Sequence, residues 1–214
     1  MGLLALLLAV AAVLPAGAQT ANIDYIGFGF ETGGLFPSNA GDELNIEAIT
    51  SHADPVFEVD LGTYELTFHV SGLISTGGYL NGSTTVVNYT GGTLEIFMDA
   101  ARNADWGVNP PNATVPASFT DGELFFRGEF NSFTLYFAPG GYGSFEGSLD
   151  AVDGTMIDGG CSGCVYTWAG SFTSEGGAQI PAGYDLQVDG GFQIDSTVDT
   201  ETASWGSVKA LFSN

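Results

Sequence analysis

Basic residues are the scarcest class in this chain of 214 residues, which has three Lys and Arg against 25 Asp and Glu and a formal net charge of −22. The three are Arg102, Arg127 and Lys209. Nucleic acids and anionic membrane surfaces are bound through basic patches that release their counterions. The composition therefore excludes both as partners, and it favours cations and solvent around the folded chain.

Histidine is also scarce, because only His52 and His69 occur. Neither lies in a His-Glu-x-x-His motif, and no Gly-x-Ser-x-Gly motif supplies a nucleophile. We expect His69 to be exposed on the polar face of a strand and His52 to lie in a loop beside Asp54. Glycoside hydrolysis needs a carboxylate pair, but 25 acidic residues are too many for the sequence to select one. The sequence predicts a protein that is not an enzyme, with no catalytic residues.

The chain has two cysteines, Cys161 and Cys164, in the segment Gly-Gly-Cys-Ser-Gly-Cys of residues 159–164. A redox-active Cys-x-x-Cys usually begins a helix, and none is expected here. A zinc site would need two further ligands, and no other Cys or His is near. We therefore predict a local disulfide between Cys161 and Cys164, which stabilises little because the loop is short.

Long apolar runs are absent except at the N-terminus, where residues 3–14 are all apolar. This run is shorter than the roughly 20 residues of a membrane-spanning helix, and Ala16 and Ala18 follow it in the pattern that signal peptidase cleaves. The sequence predicts a signal peptide at residues 1–18. Residues 19–214 then form a single acidic domain, without an integral membrane segment, outside the cell or on its surface.

Apolar and polar residues alternate with period two along most of the chain, as in half-buried antiparallel strands. Tyr64, Leu66, Phe68 and Val70 share one face of residues 64–71, and the other face is polar. Further strands are predicted at 24–31, 44–50, 56–60, 84–89, 93–99, 123–130, 133–138, 144–152, 165–173, 184–195 and 205–212. One helical turn is predicted around residues 99–105.

Glycine is abundant, with 32 residues, and Gly-Gly, Asn-Gly and Asp-Gly pairs separate the predicted strands as hairpin turns do. The sequence predicts an all-β fold, an antiparallel β-sandwich of jelly-roll type with about a dozen short strands. An outer-membrane barrel also shows alternation after a signal peptide. The Asp and Glu residues that would face lipid, and the final Ser213 and Asn214, argue against it.

Calcium is the cofactor that the acidic, glycine-rich loops favour, since extracellular calcium sites are built from oxygen ligands. Asp150, Asp153 and Asp158 form one candidate metal site. A second acidic segment contains Asp195, Asp199 and Glu201. Neither segment matches an EF-hand loop or a nonapeptide calcium repeat, so a solvated acidic loop is the competing interpretation.

Three stretches carry a resemblance: Val-Asn-Tyr-Thr-Gly-Gly-Thr-Leu-Glu-Ile-Phe at 87–97, Asn-Pro-Pro-Asn-Ala-Thr at 109–114 and Phe-Thr-Asp-Gly at 119–122, together with the acidic C-terminal strands. They resemble uncharacterised exported bacterial proteins of the kind that often carry a PEP-CTERM sorting tail. The resemblance implies an exported β-protein at the cell surface. The sequence differs in having no Pro-Glu-Pro motif, hydrophobic helix or basic cluster after Trp205.

The leading prediction for function is a secreted or surface protein with a structural or matrix role. After signal cleavage, residues 19–31 carry Ile23, Ile26, Phe28 and Phe30, which could complete the sheet edge of a neighbouring copy by strand addition. The competing interpretation makes this segment the first strand of its own sheet. The acidic surface also fits a saline habitat, where charge serves solubility.

The alternative prediction is a calcium-assisted carbohydrate-binding module. Sugar rings stack on exposed aromatic side chains, and Tyr79, Trp106 and Tyr142 lie near glycine-rich loops. Trp168 alternates with Tyr166 and Phe172, which favours the core for that residue instead. An enzyme acting on polysaccharide is the third prediction. The sequence thus leaves self-association and glycan binding as the two partner classes.

Overall fold

Nine β-strands make up nearly all of the regular structure in the computed structural model, which describes residues 20–106, 117–156, 164–174 and 179–195. The strands are β1 (Thr20–Glu31), β2 (Glu43–Ala53), β3 (Glu65–Asn81), β4 (Thr84–Thr90), β5 (Thr93–Asp99), β6 (Glu123–Ala138), β7 (Tyr142–Asp153), β8 (Val165–Thr173) and β9 (Leu186–Asp195). Short 3₁₀ helices lie at Pro55–Phe57 and Ala117–Phe119. Within these described ranges, no helix is long and apolar enough to cross a membrane.

The strands form a closed antiparallel barrel. The sheet runs from β2 through β1, β9, β8, β7, β6 and β4 to β3, and the pairing of β2 with β3 completes the ring. The β1–β9 pairing joins the two ends of the described chain over ten register partners, from Thr20 with Asp195 to Gly29 with Leu186. The closed sheet leaves its strands with paired edges on both sides.

Strands β4 and β5 share one of the eight positions in the ring. Both lie between β3 and β6, with β4 on the second half of β3 and β5 on its first half. Gly91 and Gly92 separate them with φ values of 69° and 91°, and Gly72 opposite them on β3 has a φ of 72°. These left-handed conformations suit glycine, so the sheet can bend between β4 and β5 while β3 stays continuous.

The barrel interior is filled by aromatic and aliphatic side chains from one face of each strand, as expected for a small barrel. Leu66, Phe68 and Val70, predicted to share a face, are fully buried. Trp168 lies near the centre, with its ring 5.0 Å from those of Tyr25 and Phe145. The predicted core positions of Tyr166, Trp168 and Phe172 are therefore confirmed.

The predicted all-β class is confirmed, but the predicted sandwich is not: the sheet closes on itself instead of stacking two sheets. The predicted strands at 123–130 and 133–138 are one continuous strand, β6. Residues 56–60 do not form a strand, because Pro55 begins a 3₁₀ turn there. Residues 100–106 form no helical turn. The predicted strand at 205–212 and the predicted signal peptide at 1–18 lie outside the described residues.

The predicted assembly strand is β1, and its position differs from that of a donated strand. It lies between β2 and β9 and pairs with both along its length. Ile23 and Phe30 are buried, Phe28 is half-buried and Ile26 is exposed. The segment is the first strand of its own sheet, so addition to a neighbouring copy, which needs an unpaired segment, is not the arrangement in this structure.

Candidate functional site: an uncharged cleft and a charged row

An open cleft of about 260 Å³ lies at the end of the barrel where β3 and β6 finish. Its lining combines the β1–β2 loop with β3, β4 and β6, and consists of Leu35, Phe36, Pro37, Ser38, Gly78, Tyr79, Leu80, Thr85, Val87 and Phe137. None of these residues is charged. In a chain with 25 acidic residues, a wall without a single charge is a distinct local environment.

The β1–β2 loop, which forms one wall of the cleft, is held against β3 by hydrogen bonds. The Gly78 N–H donates to the Ser38 carbonyl at 3.2 Å, and Gly41 and Ser75 make further backbone bonds across the same junction. The Ser38 and Ser75 hydroxyls lie 2.7 Å apart. The cleft is therefore built from backbone that is already ordered, which favours binding without a large ordering cost.

Large apolar side chains are exposed at the cleft. Phe36 is 58% exposed, Tyr79 52% and Leu80 74%. The Phe36 ring packs edge-on against Phe137, with centroids 5.0 Å apart. Contiguous exposed apolar surface of this kind commonly marks a place where a ligand or partner binds.

A buried carboxyl group lies near the cleft but presents no charge on its wall. Glu31 is 1% exposed, and the Tyr89 hydroxyl donates to its Oε2 at 2.6 Å. Burial raises the pKa of Glu31, and the hydrogen bonds from Ser38 and Tyr89 only partly oppose this. Its Oε1 has no hydrogen-bond partner among the described residues. The higher pKa favours the neutral form of this carboxyl group.

A row of alternating charges crosses the outer wall of the barrel. Glu47 on β2, His69 on β3, Glu95 on β5, Arg127 on β6 and Asp153 on β7 are successive register partners. His69 Nδ1 lies 3.0 Å from Glu47 Oε1, and Arg127 Nη2 lies 2.6 Å from Glu95 Oε1. The row therefore places one of the three basic residues and one of the two histidines between carboxylates.

The Glu47 end of this charged row is covered by the β5–β6 loop. Glu47 is 0% exposed although it lies on the outer face of β2. The Trp106 indole N–H donates to the Glu47 carbonyl at 3.4 Å, and its ring packs against Phe28 and Phe119. Thr67 on β3 donates to the Phe119 carbonyl at 2.9 Å. Trp106 and Phe119 thus form, with Phe28, a second, smaller apolar layer outside the barrel.

Burial and mutual contact shift the titration of Glu47 and His69. Burial raises the pKa of Glu47 to about 7, although the hydrogen bond and charge of His69 oppose the increase. Burial alone would lower the pKa of His69, but its hydrogen bond to Glu47 and the charges of Glu47, Glu95 and Glu43 raise it overall. The pair therefore retains a proton up to neutral pH.

Two of the three predicted metal ligands lie in the part of the chain that the structure describes, so the predicted site stays a prediction. Asp150 and Asp153 lie on β7, and Asp158 is outside the described residues. The Asp153 carboxylate lies 3.6 Å from the Arg127 guanidinium, which competes with a cation for it. Residues 20–106, 117–156, 164–174 and 179–195 contain no group of three or more His, Cys, Asp or Glu placed so that it could hold a metal ion. Of the second acidic segment only Asp195 is described.

The predicted disulfide lies partly outside the described residues, because Cys164 is described and Cys161 is not. It stays a prediction. His52 was expected in a loop, but it lies on β2, where it pairs with Asp24 of β1. Its side chain is exposed, and its Nε2 lies 3.6 Å from the Asp54 carboxylate. The prediction for His69 was wrong, since this residue is 8% exposed and bonded to a buried Glu47.

The three aromatic residues considered for sugar binding lie in different places. Tyr79 lines the cleft. Tyr142 is 60% exposed at the start of β7 and is not part of the cleft lining. Trp106 packs on Phe28 and Phe119 in the outer layer. Phe36 also lines the cleft but was not predicted as a site residue. The only indication of such a role in the sequence was its position as an aromatic residue next to Pro37 in a predicted loop.

The fold and the cleft together define the class: a closed antiparallel β-barrel with a solid aromatic interior and an uncharged cleft at one end. Comparison of the chain with protein-family models, with curated proteins and with solved structures finds no match. The resemblance to PEP-CTERM-type exported proteins stays a prediction.

Proposed function

We propose that the chain is a non-enzymatic binding protein of the cell surface or extracellular space, and that its uncharged cleft binds a neutral ligand with an apolar ring face, such as one sugar unit of a polysaccharide. The observation that carries the proposal is the cleft lining, which is mostly apolar and free of charge. Its volume of about 260 Å³ is just below the roughly 300–1,000 Å³ of typical ligand pockets, and suits one small ring.

The charge of the chain favours a neutral ligand over a second copy of the protein. Two copies that each carry a net charge of −22 repel one another, and nothing in the cleft offsets this repulsion. A sugar ring offers an apolar face to Tyr79 or Phe36 and hydroxyl groups to Thr85. These three side chains all line the same cleft.

The structural role by strand addition receives less support from this fold. A closed barrel has no free sheet edge to accept a donated strand, and β1 is engaged by β2 and β9. Calcium-assisted binding is also less favoured at this cleft, because its lining contains no carboxylate. We therefore expect binding to be the same in calcium and in chelator.

The first test is a glycan array probed with residues 19–214, followed by titration calorimetry on the polysaccharide that binds best. Tyr79→Ala and Phe36→Ala should each weaken binding about tenfold or more, which corresponds to roughly 1.4 kcal/mol for one lost ring contact. Both side chains are more than half exposed, so their removal should leave the melting temperature nearly unchanged.

Tyr142→Ala is the matched control, because Tyr142 is 60% exposed, against 52% for Tyr79, and lies outside the cleft lining. It should bind like the unsubstituted protein. Equal losses in Tyr142→Ala and Tyr79→Ala would contradict the proposal. So would light scattering that reveals a dimer dissociated by Phe36→Ala, because the cleft would then be a self-association surface.

A further inference from the structure

The buried end of the charged row contains an acid with an incomplete set of contacts. Glu47 Oε1 lies 3.0 Å from His69 Nδ1, while Glu47 Oε2 has no hydrogen-bond partner among the described residues. Both side chains are nearly inaccessible, at 0% and 10% exposed. Along β3, His69 lies nine residues from Gly78 of the cleft, on the order of 25–30 Å, so this pair is a separate feature.

We propose that the Glu47–His69 pair is a pH-sensitive contact that keeps Trp106 packed on the barrel at acidic and neutral pH and releases it at alkaline pH. Two contacts connect the titration of the pair to the position of Trp106. The Trp106 indole is hydrogen-bonded to the Glu47 carbonyl, and its ring packs on Phe28, the register partner of Glu47 on β1. While Trp106 packs in this way, the Glu47 side chain is 0% exposed.

The physical argument is the cost of a buried, unbalanced charge. While the pair holds one proton, it is either a carboxylate with an imidazolium or a carboxylic acid with a neutral imidazole, and both have no net charge. Loss of that proton leaves a carboxylate in a dry site with no opposite charge, which is costly. Movement of Trp106 away would let water reach Glu47 Oε2 and reduce that cost.

The charged groups around the pair also favour its protonated form. Glu43 on β2 and Glu95 on β5 act on His69, and Tyr184 before β9 lies near both Glu47 and Asp105 of the β5–β6 loop. On β1 the residue opposite Glu47 is Phe28, which has no charge. Arg127 is engaged by Glu95 and Asp153. The nearby carboxylates favour the protonated pair and oppose the deprotonated one.

The pKa shifts of Glu47 and His69 agree with this geometry. Burial raises the pKa of Glu47 to about 7, and the surrounding carboxylates raise that of His69. Acidification adds a second proton, but Glu95 lies beside His69 and balances an imidazolium. We therefore expect the contact to open only as pH rises above neutrality.

The test is quenching of tryptophan fluorescence by acrylamide between about pH 6 and pH 9 in a Trp205→Phe background. Acrylamide is neutral and so is not repelled by the acidic chain. Trp168 is 0% exposed, which leaves Trp106 as the emitter whose accessibility can change. Quenching should increase about twofold or more toward alkaline pH, and Glu47→Gln should remove this dependence.

Glu129→Gln is the matched control, because it removes an equal charge from an exposed position on β6. It should retain the pH dependence of the unsubstituted protein. Quenching that does not change with pH, or that changes equally in Glu47→Gln, would overturn the proposal.

Amide hydrogen exchange in the unsubstituted protein gives a second measurement that needs no folded variant. The amides of Ala104 and Asp105 donate to Glu65 Oε1 and to Ser118 Oγ at 2.9 and 3.0 Å. After correction for intrinsic rates, their protection should fall toward alkaline pH relative to amides of β1. Equal pH dependence in the loop and in β1 would overturn the proposal.

Discussion

Gly147 on β7 lies where two aromatic rings meet in the barrel interior. Its register partners are Phe133 on β6 and Trp168 on β8, whose rings stack with centroids 5.9 Å apart. A Cβ atom here would lie 2.8 Å from the rings of Phe130 and Phe133. Because rings in a packed core cannot move freely, we expect Gly147→Ala to cost about 1–3 kcal/mol in urea unfolding.

Gly78→Ala is the matched control for this prediction, since a Cβ there would make ordinary contacts at 3.4 Å with Thr85. Both substitutions change the unfolded chain equally, so their difference isolates the packing effect. A loss in Gly147→Ala no larger than in Gly78→Ala would mean that the rings adapt.

Individual residues differ in how far the sequence alone could place them. Trp168 was predicted correctly, because its alternation with Tyr166 and Phe172 is a local pattern. His69 was not, because alternation assigns a residue to a strand face but cannot indicate what covers that face. The cover is the loop with Trp106 and Phe119, which follows β5 and is not adjacent to β2 in sequence.

At the scale of elements, the position of β1 decides between a structural strand and a donated one. Ile26 pairs with Ile49 on β2 and with Asp189 on β9. Proline at this position removes a backbone N–H from a strand that is hydrogen-bonded on both edges. Ile26→Pro should therefore destabilise the monomer by at least about 3 kcal/mol, measured by circular dichroism during urea unfolding.

Ile26→Thr keeps the β-branched shape and the backbone N–H, and Ile26 is 36% exposed, so we expect a change within about 1 kcal/mol. A folded Ile26→Pro monomer that has lost only its ability to assemble would instead support strand donation.

The lengths of β3 and β6 illustrate what the sequence could predict about elements. The alternation in residues 64–71 located the start of β3, but the strand continues to Asn81 beyond Gly72, Gly77 and Gly78. Such glycines are typical of turns, but here β3 continues through them, and Gly78 pairs with Val87 of β4. In β6, two strands were predicted on either side of Asn131, but the strand is continuous there and only the register of its pairing with β7 shifts between Phe130 and Ser132.

At the scale of the whole molecule, a barrel and a sandwich have the same local signature of short alternating strands and glycine turns. What separates them is one long-range pairing, here between β1 and β9, whose partners are more than 150 residues apart in sequence. No local pattern reports such a contact. The cleft also depends on contacts between residues far apart in sequence, since it combines the β1–β2 loop with Phe137 of β6.

The stability of the whole molecule should decrease as pH rises from mildly acidic to alkaline values. Glu31, Glu47, His69 and Asp185 all have a pKa above the ordinary value in the folded state, with burial as the main cause for the three acids. A group whose folded pKa is raised stabilises the fold fully below its unfolded pKa, and that contribution is lost as pH rises through the folded pKa. For Glu47 this window extends from about 4.5 to about 7.

Repulsion among the 25 acidic residues also lowers the stability of the fold as pH rises. The salt dependence distinguishes this repulsion from the titration of the buried groups. At about 1 M NaCl the Debye length is about 3 Å, so exposed charges are screened while buried groups are affected much less. We expect the melting temperature at pH 8 to increase with salt, while its fall between about pH 5 and pH 8 persists. A profile that becomes flat in high salt would attribute the whole effect to the surface, and the buried acids would then titrate as they do in the unfolded chain.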